Sequence, residues 1–231
     1  CYTAVPMSLP PTRDTIAAIA TAPGAAAIGV IRLSGPDSLR VAAELFTPAS
    51  GRSATSLGHG TFTYGVFSDG DELIDDGLLL VFRDGRSYTG QEAAELQVHG
   101  SSAVLRRLLD ACLARGARQA GPGEFTLRAY LNGRLDLAQA ESVLDLINAE
   151  SELARRSART GLSGRLSERI DALQSTLTRV YGGLQAGLDY PDEGVEETEF
   201  SQPLLQVTAE IDRLLGSARA GRLAGTGARL V

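Results

Sequence analysis

The segment from Gly121 to Glu141, GPGEFTLRAYLNGRLDLAQAE, decides the organisation of this chain. It places a Pro-Gly-Glu turn, two arginines and a tight Asn132-Gly133 corner within a short stretch. Directly after it, apolar residues recur at the spacing of an amphipathic helix. The segment therefore predicts a joint between a mixed α/β domain before it and a helical domain after it.

The composition is that of a globular protein with room for one large domain or two small ones. The chain has 231 residues, of which 43% are hydrophobic. Its net charge is −6 and its pI is about 5.0. Tight, sequence-independent binding to a phosphate backbone needs clustered Lys and Arg, so this balance argues against it. Any role with nucleic acid would have to be local or shared with another domain.

The cysteines and the N-terminus favour a cytoplasmic protein. Cys1 and Cys112 are far apart in the sequence and show no metal-ligand spacing, which is typical of a reducing compartment. We find neither a signal-peptide pattern nor an apolar run long enough to span a bilayer, so we expect no membrane association. The only methionine is Met7, inside a Pro-rich stretch, and we interpret residues 1–12 as a flexible extension.

Alternating and helical apolar patterns predict a module of mostly antiparallel strands with helices over residues 13–134. The turn signals and periodicities define each element. The predicted elements are strands at residues 15–21 and 27–33, a helix from Pro36-Asp37 through Phe46, a hairpin turning at Asp69-Gly70 with a partner strand at 78–82, a strand at 94–98, and a helix capped by Ser101. The fold class expected for the whole chain is α+β, with an all-α second domain.

After Arg134 the pattern becomes purely helical, which predicts a bundle over residues 135–226. The apolar positions run through Leu135, Ala138, Val143, Leu146 and Ile147, then through Leu162, Leu166, Ile170, Leu173, Leu177, Val180, Leu184 and Leu188, and then from Leu204 to Ala218. If residues 150–188 form one helix, it is about 58 Å long. Helices outside this chain, or a second subunit, are expected to cover the remaining apolar surface. Gly225-Thr226-Gly227 is expected to end the last helix, and residues 227–231 resemble the first strand of a truncated further domain.

Several motifs are better explained by structure than by function. Gly100-Ser101-Ser102 could bind an anion at a helix N-terminus, but an ordinary cap is the simpler interpretation. His59 and His99 have no third metal ligand at a suitable spacing. Asp75-Asp76 and the acidic run at 192–199 are typical of a turn and a solvated face. Neither a dinucleotide fingerprint nor a P-loop sequence occurs in the chain.

Arg32 and Glu95 are the strongest site candidates, because each charge interrupts an apolar strand. One interpretation is a structural ion pair, either mutual or with other partners. The alternative is a polar pocket in which Glu95 accepts hydrogen bonds from an amino-pyrimidine-like ring while Arg32 binds a carboxylate or carbonyl. Arg134, just past Asn132-Gly133, could supply a second cation to the same ligand.

Four segments resemble, in order and spacing, the N-terminal half of the MnmE (TrmE) family of tRNA modification GTPases. They are DTIAAIATAPG, GVIRLSG, SYTGQEAAELQVHG and GPGEFTLRAYLNGRLDLAQAESVLDLINA. The resemblance implies a folate-binding and dimerisation domain at 13–134, similar to that of the glycine-cleavage aminomethyltransferase, and the first part of a central helical domain at 135–226. It also implies a Ras-like G domain that begins at 227–231 and binds GTP, Mg²⁺ and K⁺ beyond this portion.

The resemblance also assigns a ligand and its contacts. It implies that Arg32, Glu95 and Arg134 bind 5-formyltetrahydrofolate, with no catalytic or metal-binding residue in this portion. Other members commonly have Lys where this chain has Arg134, which keeps the charge but changes the geometry of its donors. Others also have a charged residue and glycines where this chain has Ala25, Ala26 and Ala27.

The implied activity belongs to the whole protein rather than to this portion. The family acts as a homodimer with an FAD-containing partner subunit and installs an aminomethyl-type group on carbon 5 of the wobble uridine of tRNA. GTP hydrolysis is not expected from these residues alone. Two alternatives remain open: a stand-alone folate-dependent aminomethyl or formyl transferase, and a purely structural dimerisation module.

Overall fold

The structure, a computed structural model, describes residues 13–51, 53–189 and 200–226, with side chains as far as residue 216. The described residues form two compact units that divide in sequence between Leu135 and Asp136. No helix within these ranges is long and apolar enough to cross a membrane. The expected extension at 1–12, the acidic run at 192–199 and the expected strand at 227–231 lie outside the described residues.

The first unit is built on one mixed sheet, whose strands run in the order β3-β4-β5-β6-β2-β1-β7 among the described residues. The strands are Ile16–Ile19 (β1), Ala26–Ser34 (β2), Phe46–Pro48 (β3), Thr61–Asp69 (β4), Glu72–Phe82 (β5), Ala93–Gly100 (β6) and Arg118–Gln119 (β7). Every neighbouring pair is antiparallel except β1 and β7, which are parallel. The expected fold class, a mostly antiparallel α+β domain followed by helices, is confirmed.

One face of this sheet is the core, covered by helices α1 (Ser38–Leu45) and α2 (Ser102–Ala114). Side chains alternate across a strand, so Ile31 and Leu33 of β2 and Leu96 of β6 point to the core and are fully buried. Burial of each such side chain contributes about 1.5–3 kcal/mol. The same alternation puts Arg32 and Glu95 on the opposite face, where the candidate site forms.

Helix α3 (Glu124–Leu131) is tied to the start of the sheet by a buried charge network. Arg128, only 1% exposed, donates hydrogen bonds to the backbone carbonyl and the carboxylate of Asp14 and to Glu124. Arg118 of β7 pairs with the same two carboxylates. Because these charges are shared and hydrogen-bonded, the cost of burying them is offset.

One local expectation in the first unit is wrong, and a second is right in position but lacks its hydrogen bond. Helix α1 ends at Leu45, and Phe46 is extended in β3, where it pairs with Phe67 of β4 and stacks on its ring at 4.7 Å. Phe46 fits helical spacing, but the ring contact and the ladder to β4 hold it in the sheet. Ser101 occupies the N-cap position of α2, yet its side chain makes no capping hydrogen bond.

The second unit consists of helices among its described residues, as expected. They are Leu137–Ile147 (α4), Glu152–Leu162 (α5), Arg165–Asp189 (α6) and Ser201–Thr226 (α7). Leu135 lies outside α4, because Asp136 and Gln139 form a capping box that starts the helix after it.

The single long helix over residues 150–188 is wrong. Ser163-Gly164 separates α5 from α6, and Gly164 has φ +75, a left-handed conformation that favours glycine. Helix α7 reaches Thr226, the last described residue, and the expected stop at Gly225-Thr226-Gly227 extends outside the described residues.

Close contact between α4 and α5 depends on a small residue. A Cβ at Gly161 of α5 would collide with the hydroxyl of Ser142 in α4. Large apolar side chains elsewhere in this unit remain exposed, including Ile147 at 75% and Leu188 at 82%. The helices described here therefore leave much of their apolar surface uncovered.

Candidate ligand-binding pocket

A cross-strand ion pair between Arg32 and Glu95 forms the centre of the candidate site. The two residues are direct partners in the antiparallel register of β2 and β6. Arg32 donates from Nε at 2.9 Å and from Nη2 at 2.7 Å, and both bonds go to Oε1 of Glu95. Oε2 of Glu95 has no partner among the described residues. The mutual ion pair that the sequence left as one alternative is present, and it still leaves an acceptor free.

The pair forms part of the wall of a cavity of about 230 Å³ on the face of the sheet opposite the core. The cavity is lined by Arg32, Ser34, Phe82, Ser87, Tyr88, Thr89, Ala93 and Glu95. These residues come from β2, the end of β5, β6 and the connection between β5 and β6. The lining combines one charged pair, four hydroxyls including that of Tyr88, and two aromatic rings.

A chain of hydroxyl hydrogen bonds fixes one side of the cavity. Ser34 and Thr89 approach to 2.6 Å between their oxygens, and Thr89 and Ser87 to 3.1 Å. Ser34 also donates to the side-chain carbonyl of Gln91 at 3.0 Å, and Ser87 donates to the backbone carbonyl of Gln91 at 2.7 Å. Because Ser34, Ser87 and Thr89 are almost fully buried, these bonds hold the loop before β6 against the end of β2.

Two aromatic rings border the guanidinium of Arg32. Its Cζ lies 5.8 Å from the ring centre of Tyr88 and 5.9 Å from that of Phe125 in α3. Each such contact contributes about 0.5–1 kcal/mol at a partly exposed site. The hydroxyl of Tyr88 is 2.9 Å from that of Thr126, so α3 supports the ring from outside. The orientation of Arg32 is therefore set by its carboxylate partner and by both rings.

Arg134 lies at the edge of this loop rather than in the cavity lining. A Cβ at Gly90 would be 3.0 Å from Cγ of Arg134, so the aliphatic stem of Arg134 runs beside the loop. Its neighbour Asn132 donates a 2.7 Å hydrogen bond to the carbonyl of Thr89. The structure thus brings Arg32 and Glu95 together and places Arg134 next to the same loop. Ala25 to Ala27 are exposed and do not line the cavity.

Sequence reasoning missed the hydroxyl-bearing residues of the pocket. Ser34 and Thr89 stand next to glycines, and Ser87 lies between Gly85 and Gly90, so all three look like turn residues. The available signal was that all three belong to segments that carry the resemblance: Ser34 to GVIRLSG, and Ser87 and Thr89 to SYTGQEAAELQVHG. The chemistry that the arrangement allows is binding of a flat polar ring, with an acceptor, guanidinium donors and aromatic surface on its wall.

The described residues form a mixed-sheet domain, which carries this pocket, followed by a helical domain. Comparison with known families agrees with this division. The family described as "GTP-binding protein TrmE N-terminus" matches residues 15–134, and the one described as "MnmE helical domain" matches residues 137–229. The chain belongs to the MnmE (TrmE) family.

Curated relatives give the same assignment. Proteins named tRNA modification GTPase MnmE are 53% identical in Thermus thermophilus over 220 residues and 44% identical in Symbiobacterium thermophilum over 222 residues. Each match covers 94% of this chain but only 50% and 49% of the respective relative. A third, from Clostridioides difficile, is 39% identical over 94% of this chain and 48% of its own length. The chain spans about half the length of the curated relatives it matches.

Proposed function

We propose that the first unit binds 5-formyltetrahydrofolate in the pocket beside Arg32 and Glu95, as part of a tRNA modification GTPase. The observation that carries this proposal is the Arg32–Glu95 pair, which leaves Oε2 of a partly buried carboxylate unpartnered at the wall of a cavity. A partly buried acceptor at a cavity wall with no protein partner favours a ligand that supplies a donor.

The chemistry of a folate ring matches the lining. Its amino-pyrimidine edge carries neighbouring N–H donors, which a carboxylate such as Glu95 can accept. Its ring carbonyl can accept from the guanidinium of Arg32, and its flat faces can pack on Phe82 and Tyr88. The cavity of about 230 Å³ is smaller than the roughly 300–1,000 Å³ typical of ligand pockets, so the ring is enclosed and the tail extends outward. Arg134, at the edge of the loop, can then pair with a carboxylate of that tail.

Homodimerisation of this unit is the second part of the proposal. On the face of β4 opposite the core, Phe62 is 69% exposed and Tyr64 is 54% exposed. Adjacent exposed aromatic residues are common at protein interfaces and costly to leave in water. The proposed occupant is a second copy of this chain, in keeping with the resemblance to a homodimeric family.

The remaining roles belong to the whole protein. We propose that it binds GTP with Mg²⁺ and K⁺, acts with an FAD-containing partner subunit, and modifies the wobble uridine of tRNA with an aminomethyl-type group. The support is the family membership and the name of the relatives. These 231 residues contain no P-loop sequence, so we expect the chain by itself not to hydrolyse GTP.

Calorimetric titration of the chain with 5-formyltetrahydrofolate tests the pocket. We expect saturable binding that Glu95→Gln weakens by about ten- to a hundredfold, since bonds to charged groups are worth about 1.5–3 kcal/mol. Arg40→Gln, in an exposed ion pair on α1, is the matched control and should leave the affinity unchanged. Absence of binding to a chain with an intact thermal transition would refute the folate proposal.

Sedimentation equilibrium tests the dimer independently. We expect the double variant Phe62→Ser, Tyr64→Ser to be monomeric at concentrations where the wild type is a dimer. Leu188→Ser removes an equally exposed apolar side chain from the second unit and should leave the association constant unchanged. A dimer without folate binding would instead support the structural dimerisation module, and formyl or aminomethyl transfer by the chain alone would support a stand-alone transferase.

A further inference from the structure

A second group of polar side chains lies on the first unit, outside the folate pocket. Asp75 and Asp76 of β5 and His99 of β6 each offer one ligand atom, and these three atoms lie within 4.8 Å of one another. The sequence could not show this, because the aspartates and the histidine come from different strands. No metal ligand stands near His99 in the sequence, but Asp75 and Asp76 of the neighbouring strand lie close to it in the structure.

Each of the three side chains is already oriented by a hydrogen bond. The backbone N–H of His99 donates to Oδ2 of Asp75 at 2.8 Å, and Nδ1 of its ring is 2.9 Å from Oδ1. The hydroxyl of Tyr64 donates to Oδ2 of Asp76 at 2.8 Å. The bond from Tyr64 is an outer hydrogen bond of the kind that orients metal ligands, whereas the ring proton between His99 and Asp75 would be displaced by the ion.

Strands β5 and β6 approach each other unusually closely at Gly77. The backbone carbonyl of Gln97 occupies the space that a Cβ at Gly77 would need, so only glycine allows the strands to approach there. The regular pairing of β5 with β6 is recorded from Leu78–Gln97 onward, on one side of this contact. On the other side, the carboxylate of Asp75 accepts the N–H of His99. A side-chain acceptor thus replaces a backbone acceptor on this side of Gly77. This replacement brings the carboxylate of Asp75 close to the imidazole of His99.

We propose that Asp75, Asp76 and His99 bind a divalent transition metal ion of the Zn²⁺ type. One imidazole and two carboxylates suit Zn²⁺, which accepts nitrogen and oxygen ligands and commonly takes three protein ligands with water in the fourth position. Mg²⁺ and Ca²⁺ prefer oxygen ligands throughout, so the imidazole favours a transition metal. The side chain of Asp75 is 13% exposed and that of His99 is 68% exposed, which leaves one side of the group open to water or a further ligand.

This site is separate from the folate pocket but lies on the same side of the sheet. His99 follows Glu95 by four residues in β6, so both side chains project from one face, about 13 Å apart at 3.3–3.4 Å per residue. Neither Asp75, Asp76 nor His99 lines the cavity. The metal proposal therefore does not rest on the folate proposal, and either can fail without the other.

The composition of the chain provides an internal control, because its only other histidine is His59. Nδ1 of His59 accepts a hydrogen bond from the backbone N–H of Arg83, away from the proposed site. We would titrate the Cys1→Ser chain with ZnCl₂, since a cysteine thiolate is itself a zinc ligand. Binding would be followed by calorimetry and by NMR of the two imidazoles, with MgCl₂ as a competitor.

We expect one zinc ion per chain, with shifted signals for His99 and unchanged signals for His59. His99→Gln and Asp75→Asn should each weaken binding at least tenfold, His59→Gln should not, and Mg²⁺ should not compete. Asp75→Asn keeps an acceptor for the N–H of His99, and a thermal melt checks that each variant is folded. Three results would each overturn the proposal and leave Asp75–His99 as an ion pair only. They are zinc binding that neither His99→Gln nor Asp75→Asn weakens, equal shifts of the NMR signals of His59 and His99, and no binding at millimolar zinc.

Discussion

Asn132 donates a 2.7 Å hydrogen bond from Nδ2 to the backbone carbonyl of Thr89. Asn132 is the C-cap residue of α3, and Thr89 belongs to the loop that lines the pocket. The bond therefore connects the end of a helix to the loop that also carries Ser87 and Tyr88. The residue that looks like a simple corner in the sequence positions one wall of the candidate site.

Replacement of Asn132 by Ala should loosen this loop. We expect the free energy of unfolding to fall by about 1 kcal/mol and folate affinity to fall about tenfold, because the Thr89 carbonyl loses its donor. Urea unfolding and calorimetry measure the two effects. Asn148→Ala removes the equivalent C-cap side chain of α4, for which no hydrogen bond is recorded, and should leave affinity unchanged. Equal loss of affinity in both variants would argue against a positioning role.

Arg128 should be among the most sensitive positions for stability. Its side chain is 1% exposed and pairs with Asp14 and with Glu124, which is 3% exposed. Arg128→Leu removes one of the two arginines that neutralise these buried carboxylates and leaves only Arg118 beside them, and we expect a loss of about 3–5 kcal/mol in the free energy of unfolding. Arg40→Leu, from an exposed pair, should cost less than about 1 kcal/mol. Similar losses in the two variants would show that the buried network contributes no more than a surface pair.

The same network should make the first unit sensitive to acid. Burial by itself raises the pKa values of Asp14 and Glu124, but hydrogen bonds, led by those from Arg118, bring both below their usual 3.8 and 4.5. A folded pKa below the unfolded one means that the contribution to stability is complete above the unfolded pKa. It is lost as the pH falls through the folded pKa.

We therefore expect the free energy of unfolding to decrease between about pH 5 and pH 3. Arg118→Gln should reduce that decrease, because it removes the largest cause of the lowered pKa values. Urea unfolding at several pH values gives both slopes. If the variant and the wild type lose stability in parallel over this range, Asp14 and Glu124 are not the groups responsible.

The contact between α4 and α5 can be tested by a substitution in one helix and a compensating substitution in the other. Gly161→Ala should destabilise the second unit, because the new Cβ would collide with the hydroxyl of Ser142. Such overpacking typically costs about 1–3 kcal/mol. Adding Ser142→Gly should restore part of the loss, whereas Gly182→Ala, at a helical glycine with open space, should be neutral or stabilising. A double variant no more stable than Gly161→Ala would exclude this contact as the cause.

The parts of the fold that follow from local pattern could be predicted from the sequence. Alternating residues identified β2 and β6, and the opposite charges of Arg32 and Glu95 within apolar strands indicated a pair or a pocket. The structure places them directly opposite each other. The capping box at Asp136 similarly sets the start of α4 by local hydrogen bonds.

The parts of the fold that depend on a special backbone conformation or on contacts distant in sequence could not be predicted. Apolar residues continue at intervals of three and four across Gly164, so periodicity could not show the break that its left-handed backbone makes. The two-residue strand β7 is too short to carry a pattern and exists only through its pairing with Ile16 and Ala17. The contact of Asp75 with His99 depends on strand register, which neither residue reveals in sequence.

The charge network around Asp14 has a consequence for biosynthesis. Asp14 leaves the ribosome before its partners Arg118 and Arg128, which follow 104 and 114 residues later. Contacts between such distant positions slow folding, because a long loop must close before they form. Until β7 and then α3 have been synthesised, the sheet lacks first its edge strand beside β1 and then the partner Arg128, and this is the interval in which we expect the nascent chain to depend most on chaperones.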